Sequence, residues 1–120
     1  MLTEFHNLSQ NDAGFRRLFT DDYFDLYLWY ESRDGDLSGF QLCYSKADDP
    51  HSFTWMQSGF RCHARIDEGE DRVGGYKGTP ILVSDGVFEK TPLLRRFTKA
   101  AESIDRGIRD LVVGAVQEYR

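Results

Sequence analysis

The most regular hydrophobic pattern in the chain runs from residue 23 to residue 44. Phe24, Leu26, Leu28 and Tyr30 alternate with Tyr23, Asp25, Tyr27 and Trp29, which is the period of a strand with one buried face. Asp34-Gly35 signals a hairpin turn, and Phe40, Leu42 and Tyr44 resume the alternation. Two registers compete. A two-residue Asp34-Gly35 loop pairs Trp29 with Phe40, Tyr27 with Leu42 and Asp25 with Tyr44. A three-residue loop, Arg33-Asp34-Gly35 with a left-handed glycine, pairs Leu28 with Phe40, Leu26 with Leu42 and Phe24 with Tyr44. A slip of one residue turns every side chain over, so burial selects the second register, whose paired face is uniformly apolar.

Phe53-Thr54-Trp55 opens a second alternating region, in which Phe60, Cys62, Ala64 and Ile66 interleave with Arg61, His63, Arg65 and Asp67. The apolar phase changes from odd to even numbers across Ser58-Gly59. A bulge there is expected to absorb the slip, sending Phe60, Cys62, Ala64 and Ile66 into the core and Arg61, His63 and Arg65 to the opposite face. Residues 68–79 hold four glycines beside the acidic run Asp67-Glu68-Gly69-Glu70-Asp71, and read as a mobile loop. Pro80-Ile81-Leu82-Val83 then restores a short strand.

The tail has a helical period. Thr91 is a capping residue, Pro92 suits a first turn, and Leu94, Phe97, Ala101, Ile104, Ile108, Leu111, Ala115 and Tyr119 recur at three- and four-residue steps. They predict one helix over 92–119, roughly 40 Å long at 1.5 Å per residue. Gly107 and Gly114 lie with Ala100 and Ser103 on a flank of this stripe, and Gly107 is expected to mark a close approach of another backbone. The first fourteen residues are weakly patterned, with Phe5 and Leu8 as candidate anchors, and are expected either to form a short helical turn or to fray. The chain thus reads as a single α+β domain over 1–120: a mostly antiparallel four- to five-stranded sheet with one long C-terminal helix packed on one face. The other face is left with Tyr23, Tyr27, Trp29 and Cys43, joined by Arg61, His63 and Arg65.

Composition narrows the function classes. A chain of 120 residues, 40% hydrophobic and 14% aromatic, has enough apolar surface for one core and is not disordered. Fifteen basic against twenty acidic residues give a charge of −5, which opposes phosphate-backbone binding, so no nucleic-acid partner is expected. No apolar run approaches the ~20 residues of a membrane span, and Arg16-Arg17 leads into Thr20-Asp21-Asp22 rather than an apolar leader. Two cysteines do not make a disulfide framework, and a reducing cytoplasm is the expected compartment.

The run from Tyr23-Phe24-Asp25-Leu26 through Gly39-Phe40-Gln41-Leu42-Cys43-Tyr44 resembles small uncharacterised bacterial proteins. Phe53-Thr54-Trp55, Ile66-Asp67-Glu68-Gly69-Glu70 and Thr79-Pro80-Ile81-Leu82-Val83 fit the same resemblance, which spans about Tyr23 to Phe97. It implies a bacterial cytoplasmic protein and carries over no activity and no functional residue.

Motifs for catalysis or metal binding are sparse. Cys62 and His63 are adjacent on a strand and point to opposite faces, so they form no local catalytic pair, although Cys43 and His63 share the expected outer face. His63 and Asp67 share a face but stand roughly 13 Å apart along an extended strand. No Cys-x-x-Cys, His-Glu-x-x-His or calcium-loop pattern occurs, so neither metal nor cofactor is expected. Gly74-Gly75-Tyr76-Lys77-Gly78-Thr79 has phosphate-loop ingredients in the wrong order and runs into Pro80, as a connector does. The aromatic row Tyr23, Tyr27, Trp29 is the stronger lead, because such residues favour interface cores. The first functional expectation is therefore a self-associating interaction module, a homo-oligomer through the outer sheet face. The second is an enzyme or small-ligand binder using that face, with Arg61, His63, Arg65 and Asp67 as polar groups above an aromatic floor; the residues name no particular ligand.

Overall fold

The computed structural model describes residues 1–6, 8, 10, 14–67, 81–84 and 88–119. The expected loop over 68–79, with its acidic and glycine-rich runs, lies outside the described residues. Among the described residues seven strands form one antiparallel sheet in sequential order: β1 (Thr3–Phe5), β2 (Phe15–Thr20), β3 (Phe24–Tyr30), β4 (Leu37–Tyr44), β5 (His51–Met56), β6 (Arg61–Asp67) and β7 (Ile81–Ser84). Among the same residues two helices follow, α1 (Lys90–Ala100) and α2 (Arg106–Glu118), joined through a turn of 3-10 helix at Ala101–Ser103. The α+β class and the antiparallel sheet are as expected. The strand number and the single long helix are not.

The extra strands lie at the amino-terminal end. Phe15, Arg17 and Phe19 share the helix-facing side of β2 with Leu26 and Leu28 of β3, and the two arginines in this strand disguise its period. Arg17 is held there by Glu4 of β1, its Nε and one terminal nitrogen each donating to a carboxylate oxygen at 2.8 Å. That fork lowers the Glu4 pKa and raises that of Arg17. Instead of fraying, the start of the chain is anchored by Leu2, which is 1% exposed, while Phe5 stays exposed.

The β3–β4 register is the expected one, with Leu28 opposite Phe40, Leu26 opposite Leu42 and Phe24 opposite Tyr44. Its cause differs. The turn is tighter, with Gly35 N–H bonded to Ser32 O, and the slip is taken up by an irregularity at Trp29/Tyr30; Gly35 has no positive φ. The three-residue turn with a positive-φ glycine occurs instead between β5 and β6, at Gln57-Ser58-Gly59, where Gly59 has φ 122°.

That turn overturns the expected bulge. It pairs Phe53 with His63, Thr54 with Cys62 and Trp55 with Arg61, so odd-numbered residues keep one face through the hairpin. Arg61, His63 and Arg65 therefore lie on the helix-facing side, and Cys62, Ala64 and Ile66 on the outer side. Phe60, expected in the core, is an exposed turn residue. Both thiols are free, and Cys43 and Cys62 lie on the outer face of strands separated by β5.

The core lies between the sheet and the helices. Phe24, Leu26, Leu28, Phe40, Leu42 and Phe53 meet Leu93, Phe97, Ala101, Val112, Ala115 and Val116. Phe24 meets Phe97 edge-on at 5.6 Å, and Phe53 meets Tyr119 at 5.2 Å, which fixes α1 over β3 and the end of α2 over β5. The helix breaks at Ile104, which is extended at φ −110° and ψ 171°; Asp105 then caps α2 by accepting from Ile108 N–H at 3.1 Å. Gly107 sits in the first turn of α2, and a Cβ there would meet Asp105 Oδ2 at 2.9 Å and no backbone, so the expected close approach is absent among the described residues.

Candidate functional site

At one end of the sheet two segments, the turn before β3 and the β4–β5 loop, face the first two turns of α1. Asp21 shapes the first by accepting the backbone N–H groups of Tyr23 and Phe24 at 2.8 and 2.7 Å. In the second, Ser45 is the one non-glycine residue with positive φ among the described residues, at 57°, and its carbonyl closes a turn with Asp48 N–H. Such a conformation is uncommon for a residue with a Cβ and marks a position held by its surroundings.

Between these segments and α1 lies a cleft of about 420 Å³, lined by Tyr23, Tyr44, Ser45, Asp49, His51 and Arg96 with the start of α1. A neighbouring cleft of about 490 Å³ shares Tyr23 and Arg96 and extends past Asp21 and Lys99. Arg96 stands between them with its guanidinium carbon 3.7 Å from the centroid of the Tyr23 ring.

The floor of the first cleft is aromatic and continuous with the core. Tyr44 and His51 are opposite on β4 and β5, and their rings stack at 5.5 Å and 18°. Behind them His63, 4% exposed, stacks on His51 at 5.4 Å and on Phe88 at 3.8 Å. The Tyr44 hydroxyl and His63 Nε2 share a hydrogen bond of 2.6 Å, and the backbone N–H of His63 donates to the Tyr119 hydroxyl at 3.3 Å. Nε2 of this buried imidazole is thus satisfied by a phenol whose ring lines the cleft. His51 Nδ1 lies 2.8 Å from the carbonyl of Asp49. A carbonyl only accepts, so Nδ1 carries the proton and Nε2 is the basic nitrogen of the neutral ring. The cleft therefore presents one imidazole of defined tautomer, the phenol rings of Tyr23 and Tyr44, and one guanidinium.

The residues singled out in the sequence are dispersed. Tyr23 lies in the cleft, turned toward α1 and not onto the outer face. His63 supports the cleft from within. Arg61 is exposed, with its guanidinium 4.8 Å from the Trp55 ring centroid, and Arg65 is exposed opposite His51. Tyr27, Trp29 and Cys43 do lie on the outer face, in a largely polar setting. There Gln41 donates to Thr54 at 3.0 Å, and Lys46 pairs with Asp25 at 3.0 Å beside Thr20. Burial pushes the Cys43 thiol up to about 11 and raises Tyr27 as well, with the Asp25 charge adding to both. Among the described residues no group of three or more metal-ligating side chains converges, and no helix is long and apolar enough to cross a membrane.

Tyr44, His51 and Arg96 were not evident as site residues in the sequence. The signal for the first two was arithmetic: once β4 and β5 pair, Tyr44 must face His51. Arg96 gave none, being one of several exposed charges on an amphipathic helix. Comparison with protein-family models, with curated proteins and with solved structures finds no match.

Proposed function

We propose that this protein is a small-molecule binding domain whose site is the cleft between α1 and the β4–β5 loop. One observation carries the reading: the stacked Tyr44–His51 pair, locked from behind by His63 and Phe88, opens into a concave space of about 420 Å³ with few and well-placed polar groups. Ligand sites typically have this size and this mixture of an apolar base with a handful of fixed polar atoms. A rigid floor also lowers the ordering cost of binding. The compartment that accompanies this reading is a bacterial cytoplasm, in keeping with the free thiols Cys43 and Cys62.

A fragment library followed by two-dimensional amide NMR tests it. Hits are expected to move the amides of Tyr23, Tyr44, Ser45, His51 and Leu93 together, and His51→Ala is expected to weaken them. A library whose hits gather only around Tyr27 and Trp29, or which gives none, would defeat the proposal.

Self-association through the outer face is the second reading, and it rests on Phe5. This residue is 45% exposed and shares a cross-strand row with Leu18 and Tyr27. Light scattering at micromolar and millimolar concentrations decides it. A dimer that Phe5→Ser dissolves supports this reading, and a monomer at both concentrations removes it.

A further inference from the structure

We infer that the ligand of this cleft is a small planar carboxylate, bound by Arg96 where it covers Tyr23 and lying flat against the Tyr44 and His51 rings. The inference rests on reading the cleft as a binding site and adds the chemistry of its occupant.

Arg96 supplies the charge. Its guanidinium carbon lies 3.7 Å from the centroid of the Tyr23 ring, a cation–π contact that holds the charge at the cleft. Among the described residues it takes part in no ion pair. The nearby acids have other engagements. Asp21 accepts two backbone N–H groups of its own turn, and Asp49 lies at His51 Nδ1, its carbonyl oxygen at 2.8 Å and its carboxylate at 3.8 Å. Glu89 precedes Arg96 by seven residues, roughly 10 Å along the helix. A planar fork of N–H donors matches a carboxylate better than it matches any neutral group.

The rings supply the shape. Tyr44 and His51 are inclined by only 18°, so two ring planes are close to parallel along the cleft, and Tyr23 is tilted from Tyr44 by 30°. The Tyr23 and Tyr44 centroids are 6.4 Å apart, less than the ~7 Å that a third ring needs between two others at ~3.5 Å contact. A flat ligand therefore lies across the rings and is not sandwiched between them.

Benzoate is the probe, with benzamide and cyclohexanecarboxylate as controls that remove the charge or the planarity. Titrations followed by amide NMR on the full chain are expected to show benzoate moving Tyr23, Tyr44, Ser45 and His51, with both controls at least about tenfold weaker. Arg96→Ala should weaken benzoate by about tenfold and Arg96→Lys by less, while Arg95→Ala, on the exposed neighbour, should not change it. Arg96 is exposed, so none of these variants endangers the fold. Equal binding of cyclohexanecarboxylate, or benzoate binding that survives Arg96→Ala, overturns the inference. If the cleft amides respond to phosphate, adenosine or choline but not to benzoate, the ligand class is wrong and the binding site stands. If none of these probes moves them, both fall.

Discussion

Cys43 is held among Asp25, Gln41 and Ser52 on the outer face, its sulfur 3.8 Å from Gln41 Oε1. Burial, and secondarily the Asp25 charge, push its pKa up to about 11, with Lys46 opposing. The folded chain therefore holds this proton more tightly than the unfolded chain. The associated stability is full below the ordinary thiol range and is lost as the pH rises through it toward 11. Only the thiolate attacks a disulfide reagent, so in a Cys62→Ser background native Cys43 should label at least ~100-fold more slowly at pH 8 than in urea. Its rate should climb steeply as the pH approaches 11. Native labelling at the unfolded rate would show that the thiol is not desolvated. The outer placement of Cys43 was legible because its strand has an uninterrupted apolar alternation. His63 was not legible in this way. Burial of an imidazole depends on a phenol nineteen residues away and on the Tyr119 hydroxyl, partners that no local window contains.

The β3–β4 hairpin could be read from sequence because a one-residue slip sets the apolar row Leu26, Leu28 and the row Phe40, Leu42 on opposite faces, and a penalty of that size dominates turn chemistry. The helix break could not be read, because Ala101, Ile104 and Ile108 stay in phase across it and all three pack toward the core. Only Asp105 carries the signal, as a cap that looks like one half of an ion pair with Arg109. The glycines of α2 now separate. A Cβ at Gly114 meets nothing within 4 Å, so Gly114→Ala should stabilise the fold by about 0.4–1 kcal/mol. At Gly107 the added methyl meets the capping carboxylate at 2.9 Å, and displacing that cap costs about 0.5–2 kcal/mol. Gly107→Ala should therefore be neutral or destabilising in wild type and stabilising in an Asp105→Ala background. Urea midpoints of the four chains of this double-mutant cycle check it, and strict additivity would show that the cap and the methyl do not meet.

The whole molecule is a sheet of hairpins between sequence neighbours, closed by a helical layer that arrives last in the chain. This order explains why the fold class could be read and the cleft could not. Each hairpin is local, whereas the cleft needs Tyr23, the 44–51 region and the 89–96 region brought to one sheet end. Closure also ties residue 2 to the helix break. Leu2 N–H donates to Ala100 O at 3.0 Å, and the Ser103 hydroxyl donates to Leu2 O at 2.6 Å. The Leu2 side chain is buried against this junction, so Leu2→Ala should destabilise the fold by about 2–5 kcal/mol. Ser103→Ala, which removes one hydrogen bond from a carbonyl at the edge of the core, should cost about 0.5–1.5 kcal/mol. The kinetics carry more information than the sum. Contacts that span nearly the full chain require closing a very long loop, and the hairpins and the α1–α2 pair do not depend on them. Leu2 should therefore be unstructured in the folding transition state, and Leu2→Ala should accelerate unfolding while leaving the folding rate nearly unchanged. Stopped-flow folding and unfolding in urea measures both limbs. If most of the lost stability appears in the folding limb, the amino terminus docks before the sheet is complete, and the order of assembly is the reverse of the one argued from the topology.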